Sequence, residues 1–305
     1  MSDDQASPLT LSLSPPPPLP GEGAGGEASA GAAWWWPLVL AVALAACFHE
    51  VIAWMALQWW RDEYYGHGLL IPLISGYLLW RDRGRLAALP QRTDWRGLVV
   101  LSGALLLHGA AEALGVHFAS GFALVVALWG VALWLWGPAV GRAVLFPLAF
   151  LLFMVPLSRI LVEKLALPMQ LFSARGAGAL AGGVIGGVKV TGTSIATPDY
   201  TFSVAIPCSG LKSIISMSAL GALFAYLVQG PPARRVLLFF ASLPVALLAN
   251  LIRIFATVVL GNTIGPAAAE GFFHTASGLV VFLLALAGLF AVGGLLGCHR
   301  MRDDI

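Results

Sequence analysis

Charged residues are scarce in this sequence. Only 10% of the 305 residues are Asp, Glu, Lys or Arg, whereas 59% are hydrophobic. A soluble domain of this length needs more surface charge to stay dispersed, so the composition indicates an all-α polytopic membrane protein. The formal net charge of only +2 gives no reason to expect a nucleic-acid partner, and the partner that composition does imply is the lipid bilayer.

Cysteine is also rare, with three residues in the chain. Cys47 lies midway along the first hydrophobic run and Cys298 at the far end of the last, so neither is expected to reach Cys208. Three cysteines are too few for a disulfide framework, which predicts that Cys208 is a thiol. His49, His108, His117 and His299 show no metal-ligand spacing with a cysteine or carboxylate, so neither a metal nor a cofactor is predicted.

The first 33 residues differ from the rest of the chain. They contain four consecutive prolines, Pro15–Pro18, and a glycine-rich stretch at residues 21–31. Such a segment buries too little apolar surface to offset its ordering entropy and is predicted to be a disordered tail. It lacks the basic start of a signal peptide, so the hydrophobic run that follows is expected to be a retained span. The predicted domains are a tail at 1–33, a transmembrane domain at 34–298 and a cytoplasmic tail at 299–305.

Long apolar runs predict about eight transmembrane helices, because a helix needs roughly 20 apolar residues to cross a bilayer. Aromatic residues such as Trp59, Trp60 and Trp80 cluster at the ends of these runs, as in interfacial belts. The eight predicted spans are Trp34–Gln58, His67–Trp80, Gly97–Leu114, Phe118–Trp136, Val140–Leu161, Cys208–Val228, Val236–Leu260 and His274–Leu296.

The distribution of arginine predicts the orientation. With eight spans, the basic connections all fall on one side, which should be the cytoplasm. Both termini are then cytoplasmic, and the charges are expected to set topology rather than to recognise lipid headgroups. The arginines concerned are Arg81, Arg83, Arg85, Arg92, Arg96, Arg142, Arg234, Arg235, Arg300 and Arg302.

The longest segment on the opposite side runs from Ser158 to Pro207. Its first part is expected to form an amphipathic helix along the membrane interface. The glycine-rich residues 176–187 lack a phosphate-loop lysine and are interpreted as flexible or close-packing backbone. The alternating residues that follow, with turn residues at Thr197-Pro198-Asp199, predict a short β-hairpin that leads directly to Cys208.

Cys208 begins the sixth predicted span, directly after Pro207. A helix N-terminus with exposed N–H groups favours a thiolate, and proline suits the first helical position. Ser209 and Ser213 are placed to cap the helix or to donate hydrogen bonds. Taken alone, Cys208 is more often a small buried residue without chemistry.

Two further polar residues are expected at the same membrane depth. From Arg235 to Arg253 the chain rises about 27 Å as a helix, which places Arg253 near the outer face with Asn250 on the same helix side. His274 begins the last predicted span. Snorkelling of the arginine and a solvated boundary histidine are the alternatives. A nucleophilic thiol, a proton-transfer histidine and an arginine that stabilises negative charge form an acyl-transfer set, so we predict one outward-facing pocket.

The chain resembles the exosortase/archaeosortase family of multi-pass membrane transpeptidases. The resemblance rests on Pro207-Cys208-Ser209-Gly210-Leu211-Lys212-Ser213, on Ala249-Asn250-Leu251-Ile252-Arg253-Ile254 and on His274 before a span. It is supported by Gly66-His67-Gly68-Leu69-Leu70-Ile71-Pro72 and by Tyr77-Leu78-Leu79-Trp80-Arg81, so that it covers most of residues 64–278.

The resemblance implies a substrate as well as a site. Family substrates are exported proteins with a C-terminal sorting tag, which comprises a short motif such as Pro-Glu-Pro, a transmembrane helix and a basic tail. The resemblance implies cleavage near the motif and transfer of the new C-terminus to an acceptor. Cys208 would be the nucleophile, Arg253 the charge stabiliser and His274 the proton carrier, in a bacterial inner membrane with the active site on the periplasmic side. The exact tag, the acceptor and the oligomeric state stay open.

Other residues and other functions are weighed against this interpretation. Asn250, Ser209, Tyr64 and His67 are candidate substrate-binding residues, although Tyr64 and His67, with Glu63, are more often solvated loop residues. A transporter or channel would place polar residues along a mid-bilayer path, whereas here they gather at one face. A non-catalytic assembly or polysaccharide-export partner is the third alternative.

Overall fold

The computed structural model describes residues 36–62, 64–265, 272–298 and 300–302. The predicted disordered tail at 1–33 lies outside these residues, as does most of the predicted tail at 299–305. The chain divides into two compact units, Met1–Cys47 and Phe48–Ile305. In the first unit the described residues form one apolar helix, α1 (Trp36–Cys47).

The second unit is mostly helical, and local sequence explains several helix starts. The Asp94 carboxylate accepts a hydrogen bond from the Arg96 N–H, and the Ser158 hydroxyl accepts one from the Leu161 N–H, so each caps the helix that follows it. The helices are α2 (His49–Arg61), α3 (Leu70–Arg81), α4 (Arg83–Ala88), α5 (Trp95–Ala113), α6 (His117–Ala143), α7 (Leu145–Phe150), α8 (Arg159–Ile185), α9 (Leu211–Leu227), α10 (Pro232–Ile264) and α11 (Phe272–Leu295). Three 3-10 turns precede α3, follow α7 and precede α9, at Gly66–Leu69, Leu151–Met154 and Ile206–Cys208.

Three helices of the described residues are long and apolar enough to cross a membrane by length and composition: His117–Ala143, Pro232–Thr263 and Gly278–Leu295. The number rises to five if two broken pairs, Leu38–Cys47 with His49–Arg61 and Leu145–Met154 with Arg159–Ile185, each count as one span. The chain is therefore a membrane protein, but the predicted eight spans are not confirmed.

The fifth predicted span, Val140–Leu161, is wrong as a single helix. Gly137 has φ +81°, a conformation that interrupts α6 just before Pro138. The chain then forms the short α7 and a 3-10 turn that ends at Met154, and Pro156 follows. The axes change direction by 84° between residues 145–154 and α8. The run 140–161 is thus divided among the end of α6, α7, the 3-10 turn and the start of α8, with Pro156 between the turn and α8.

A three-stranded antiparallel sheet replaces the predicted hairpin. Its strands are β1 (Lys189–Thr191), β2 (Ser194–Ala196) and β3 (Thr201–Ser203), in the order β1-β2-β3. The predicted turn is confirmed between β2 and β3, where the Thr197 hydroxyl donates a hydrogen bond to the Tyr200 carbonyl. The sequence prediction missed β2.

Helix α8 continues through the glycine-rich segment that was interpreted as flexible or close-packing backbone. Its small residues form a fully buried stripe, and Gly178 leaves no room for a Cβ against Val190. Close packing is therefore the correct alternative. The helix predicted for the first part of the segment extends to Ile185, and its position along the membrane interface stays a prediction. The buried stripe comprises Ala166, Ser173, Ala174, Ala177 and Ala181.

Candidate functional site

Cys208 ends a 3-10 turn, and α9 begins three residues later at Leu211. The N–H groups of Cys208 and Ser209 donate to the carbonyls of Ala205 and Ile206. The prediction that Cys208 opens the helix is therefore wrong. The thiol belongs to the turn before α9, and the N–H groups of this turn are already used in local hydrogen bonds.

The cysteine is buried in a small core between α8, the sheet and α10. Cys208 is 7% exposed. The core also contains Ala177 of α8, Ile195 of β2, and Ile254 and Val258 of α10. An apolar surrounding of this kind disfavours a charged thiolate, so a nearby positive charge would make the thiolate easier to form.

Arg253 supplies that charge. It lies on α10 one residue before Ile254 of the same core, and it is partly buried. Because Cys208 lies in the turn outside α9, two opposing effects act on it: burial raises the pKa of its thiol, and the Arg253 guanidinium lowers it by a smaller amount. The arginine therefore offsets part of the cost of forming the thiolate.

Asn250 joins α10 to the cysteine turn directly. It is 1% exposed, and its Nδ2 donates to the Cys208 carbonyl at 3.2 Å and to the Ser173 hydroxyl at 3.4 Å. Its Oδ1 is buried and has no hydrogen-bond partner among the described residues. A buried acceptor without a partner is costly in a structural role, so this oxygen is suited to a donor from a ligand.

Two residues that were not predicted as site residues hold the segment before Cys208 in place by hydrogen bonds to neighbouring backbone. Gln170 of α8 is buried and donates to the Val204 carbonyl at 2.7 Å. The Tyr200 hydroxyl donates to the Val258 carbonyl at 3.2 Å. A polar residue on the otherwise small, apolar face of α8 was the available signal for Gln170. These bonds fix the segment that leads into Cys208.

Ser209 is fully buried, and its hydroxyl accepts a hydrogen bond from the Leu211 N–H at 3.2 Å. The N-cap of α9 is Gly210, which has no side-chain cap, so Ser209 satisfies the first N–H of α9 from the residue before the N-cap. Its proposed contact with substrate stays a prediction.

The turn with Tyr64 and His67 lies against the start of α9. Tyr64 packs with Leu211 and Val162 in a separate apolar cluster. In the 3-10 turn before α3, the pKa of His67 is lowered by burial and by the Lys212 charge, against the effect of a hydrogen bond to the Phe153 carbonyl. Its Nε2 is buried and has no hydrogen-bond partner within the described chain. A neutral His67 can therefore accept a proton at Nε2.

An open cavity of about 690 Å³ adjoins the cysteine turn. Tyr64 lines it, and Ile206 of the cysteine turn forms one wall, whereas His67 is not part of its lining. The other lining residues are Trp54, Gln58, Asp62, Tyr65, Leu157, Ser158, Arg159, Val162 and Glu163. The cavity combines aromatic, apolar and charged surface, which suits an extended peptide.

The third predicted catalytic residue has no described side chain. His274 lies in α11, but its side chain is outside the described residues, as are Glu63 and Glu270. The structure thus brings Asn250 and Arg253 close to Cys208, while the outward-facing pocket and the place of His274 in it stay predictions.

Substitution of Gly210 tests whether the cysteine turn needs its close contact with Asn250. Gly210 has φ +90°, and an added Cβ would lie 2.8 Å from Asn250 Nδ2. The left-handed conformation alone costs about 1–2 kcal/mol for alanine, and the contact adds to it. We expect Gly210→Ala to lower thermal stability more than Gly192→Ala, where φ is +60° and space is open. Equal losses in thermal unfolding would contradict the contact.

The pH dependence of Cys208 alkylation tests the electrostatics of the site without any substrate. The test uses a chain with Cys47→Ser and Cys298→Ser, so that only Cys208 reacts. Since burial raises the pKa of this thiol, the iodoacetamide rate should keep rising above the pH at which an ordinary cysteine has levelled off. Arg253→Gln removes the charge that lowers the pKa, so it should shift the midpoint further upward. An unchanged or lower midpoint would separate Arg253 from the thiol.

Comparison with known proteins then supplies a family. A family model described as Transmembrane exosortase (Exosortase_EpsH) matches residues 59–291, more than half of the chain, and this range includes the cysteine turn, Asn250, Arg253 and His274. No curated protein and no solved structure matches the chain.

Proposed function

The chain belongs to the transmembrane exosortase family, and from this premise we propose that it is a cysteine transpeptidase that processes tagged, membrane-anchored proteins. One observation supports the proposal most strongly: Asn250 of α10 is hydrogen-bonded to the carbonyl of Cys208, and the charge of Arg253 on the same helix acts on the Cys208 thiol. Two polar residues of one apolar helix therefore act on a single cysteine, one through a hydrogen bond to its carbonyl and the other through its charge.

The first half of the proposed reaction forms a thioester. His274 takes the proton of the Cys208 thiol as the sulfur attacks the carbonyl carbon of the scissile peptide bond and forms a C–S bond, and the C–N bond then breaks. The departing amine takes this proton from His274 and leaves with the tag. Arg253 stabilises the oxyanion of the tetrahedral intermediate, which is the step where a fixed positive charge has its largest effect.

The second half releases the product. An acceptor nucleophile attacks the thioester carbon and loses its proton to His274. The C–S bond breaks, and His274 returns the proton to the sulfur, which regenerates the Cys208 thiol. Water as acceptor would give hydrolysis, and an amine or hydroxyl would give transfer. The Asn250 amide, held by Ser173 and by the cysteine carbonyl, keeps the turn in place through both halves.

The cavity beside Ile206 and Tyr64 is the proposed binding place for the extended segment that precedes the transmembrane helix of the tag. Its aromatic lining suits proline-containing segments, which adopt an extended conformation. In this proposal His67 and Ser209 shape the site from the two neighbouring turns. The site faces the periplasm of a bacterial inner membrane, and both termini are cytoplasmic.

The direct test is cleavage of a reporter by the purified protein in liposomes. The reporter carries a Pro-Glu-Pro motif, a transmembrane helix and a basic tail, and mass spectrometry identifies its new C-terminus. The proposal predicts one cleavage site close to the motif and no cleavage of a reporter without the motif. Intact reporters from a panel of proline-containing motifs would contradict the transpeptidase proposal and favour a non-catalytic role.

A further inference from the structure

A second cavity, of about 530 Å³, lies between α7, the 3-10 turn after it, α9 and α10, and none of the residues in the proposed reaction lines it. Apart from Tyr226 and Arg235 its surface is apolar, and Val236 on its wall is half exposed. We call this cavity the lateral groove. Its walls include Phe146, Leu152, Ala222, Tyr226, Arg235 and Phe239.

At one end of the lateral groove, ring stacking and hydrogen bonds hold the lining residues in place. The Tyr226 ring stacks on Phe146 with 3.8 Å between centroids and 2° between planes. Arg235 donates from Nε to the Ala225 carbonyl at 2.7 Å and from NH2 to the Tyr226 carbonyl at 3.1 Å. A guanidinium therefore satisfies the last carbonyls of α9 while it lines the groove.

Positive charge concentrates at this end of the groove. The Arg302 guanidinium lies 5.6 Å from the centroid of the Tyr226 ring. The charges of Arg85, Arg235 and Arg302 all act on the Tyr226 hydroxyl, and Asp82 is the acidic group that does so. Three arginines against one aspartate leave the groove end positive.

The position of Arg302 is fixed by the backbone. Its N–H donates to the Leu227 carbonyl at 2.8 Å, and the Gln229 N–H donates to the Arg300 carbonyl at 2.8 Å. Val228 and Met301 form an antiparallel bridge between these bonds. Residues 300–302 are thus held against the end of α9, and Arg302 lies beside the ring of Tyr226, which lines the groove.

We propose that the lateral groove binds an anionic phospholipid, with an acyl chain along the apolar walls and the phosphate at Arg302, Arg85 and Arg235. An apolar groove between helices that ends in clustered arginines matches the two parts of such a molecule, and arginine binds phosphate through paired N–H donors. This assigns to three arginines a role beyond topology and does not depend on the proposed peptide chemistry.

A transmembrane helix is the competing occupant, and the groove disfavours it. A helix followed by a basic tail would bring like charges to the three arginines, whereas a lipid phosphate is attracted to them.

The test measures lipid binding to the full chain by native mass spectrometry and by thermal unfolding. Phosphatidylglycerol is the probe and phosphatidylcholine the zwitterionic control. We expect phosphatidylglycerol to bind at least tenfold more tightly, and Arg302→Gln to remove most of that difference. Arg85→Gln should also reduce the preference for phosphatidylglycerol. Because Arg85 is exposed, this substitution should not disturb folding, and it replaces Arg302→Gln if that variant does not fold.

Two controls make the outcome decisive. Arg142→Gln removes an equally exposed arginine whose Nε is bonded to the Pro138 carbonyl, outside the groove, and should leave lipid binding unchanged. Ala222→Trp should fill the groove and reduce bound phosphatidylglycerol. Equal affinity for both lipids, or an equal effect of Arg142→Gln and Arg302→Gln, would overturn the proposal. A Val236→Cys thiol can be labelled with a maleimide in the presence of either ligand. If a tagged substrate protects this thiol and phosphatidylglycerol does not, the proposal is overturned in favour of a transmembrane helix.

Discussion

Cys208→Ala is expected to abolish processing of a tagged substrate while the protein remains folded and inserted. Loss of a nucleophile costs on the order of 10⁶ in rate in well-studied proteases. The alanine should cost about 1 kcal/mol in stability, because only one buried sulfur is removed. The measurement is the rate of reporter cleavage at matched protein abundance, together with the thermal unfolding midpoint. Cys208→Ser should also be inactive, since its hydroxyl lacks the nucleophilicity of a thiol.

Cys298→Ala is the matched control. Cys298 is also buried, in a different apolar cluster with Met217, Leu238 and Leu289, so its replacement has a similar packing cost. We expect cleavage close to that of the wild-type protein. Wild-type cleavage by Cys208→Ala would remove the nucleophile assignment, and equal losses in both variants would assign the effect to stability.

Arg253→Lys is expected to accumulate uncleaved substrate almost as severely as Arg253→Ala, at normal expression. Lysine keeps the positive charge but replaces a planar fork of donors by a compact ammonium. Removal of one oxyanion donor elsewhere costs about 10²–10³ in rate. If Arg253 only anchored α10 at the membrane surface, lysine would serve nearly as well. The measurement is cleavage by each variant under single-turnover conditions.

Arg142→Lys provides the control for that substitution. Arg142 is exposed, its Nε donates to the Pro138 carbonyl at 3.2 Å, and it does not line the cavity beside Ile206, so lysine should preserve the cleavage rate. Near-normal cleavage by Arg253→Lys would favour anchoring and leave His274 as the remaining proposed partner of Cys208.

The closeness of Cys208, Asn250 and Arg253 was predicted better than the elements that hold these residues. Helix rise predicted that Arg253 lies level with Cys208, and a spacing of three residues on the same helix predicted that Asn250 lies with it. The start of α9 was misplaced because Gly210, at φ +90° against Asn250, ends the cysteine turn through a tertiary contact that hydropathy does not encode.

The fold was harder to predict where glycine and proline decide it. Helix α8 persists through a glycine-rich segment because Gly176 and Gly178 allow Leu251 and Val190 to approach its backbone. Conversely, the apolar run at 140–161 does not form one helix, since it is divided among the end of α6, α7, a 3-10 turn and α8, and Pro156 precedes α8. Hydropathy measures apolar length, whereas these outcomes depend on close packing and on backbone conformation.

Capture of the covalent intermediate is the most direct test of the central claim. The wild-type protein is mixed with a tagged reporter, quenched in acid and digested, and the peptide that contains Cys208 is analysed by mass spectrometry. The account predicts that the Cys208 peptide carries the reporter peptide that ends at the cleavage site. The two peptides should be joined by a thioester that neutral hydroxylamine releases. The adduct should be absent in Cys208→Ala and reduced in Arg253→Lys. Release of the tag with no thioester at Cys208, or an adduct on another residue, would contradict the account.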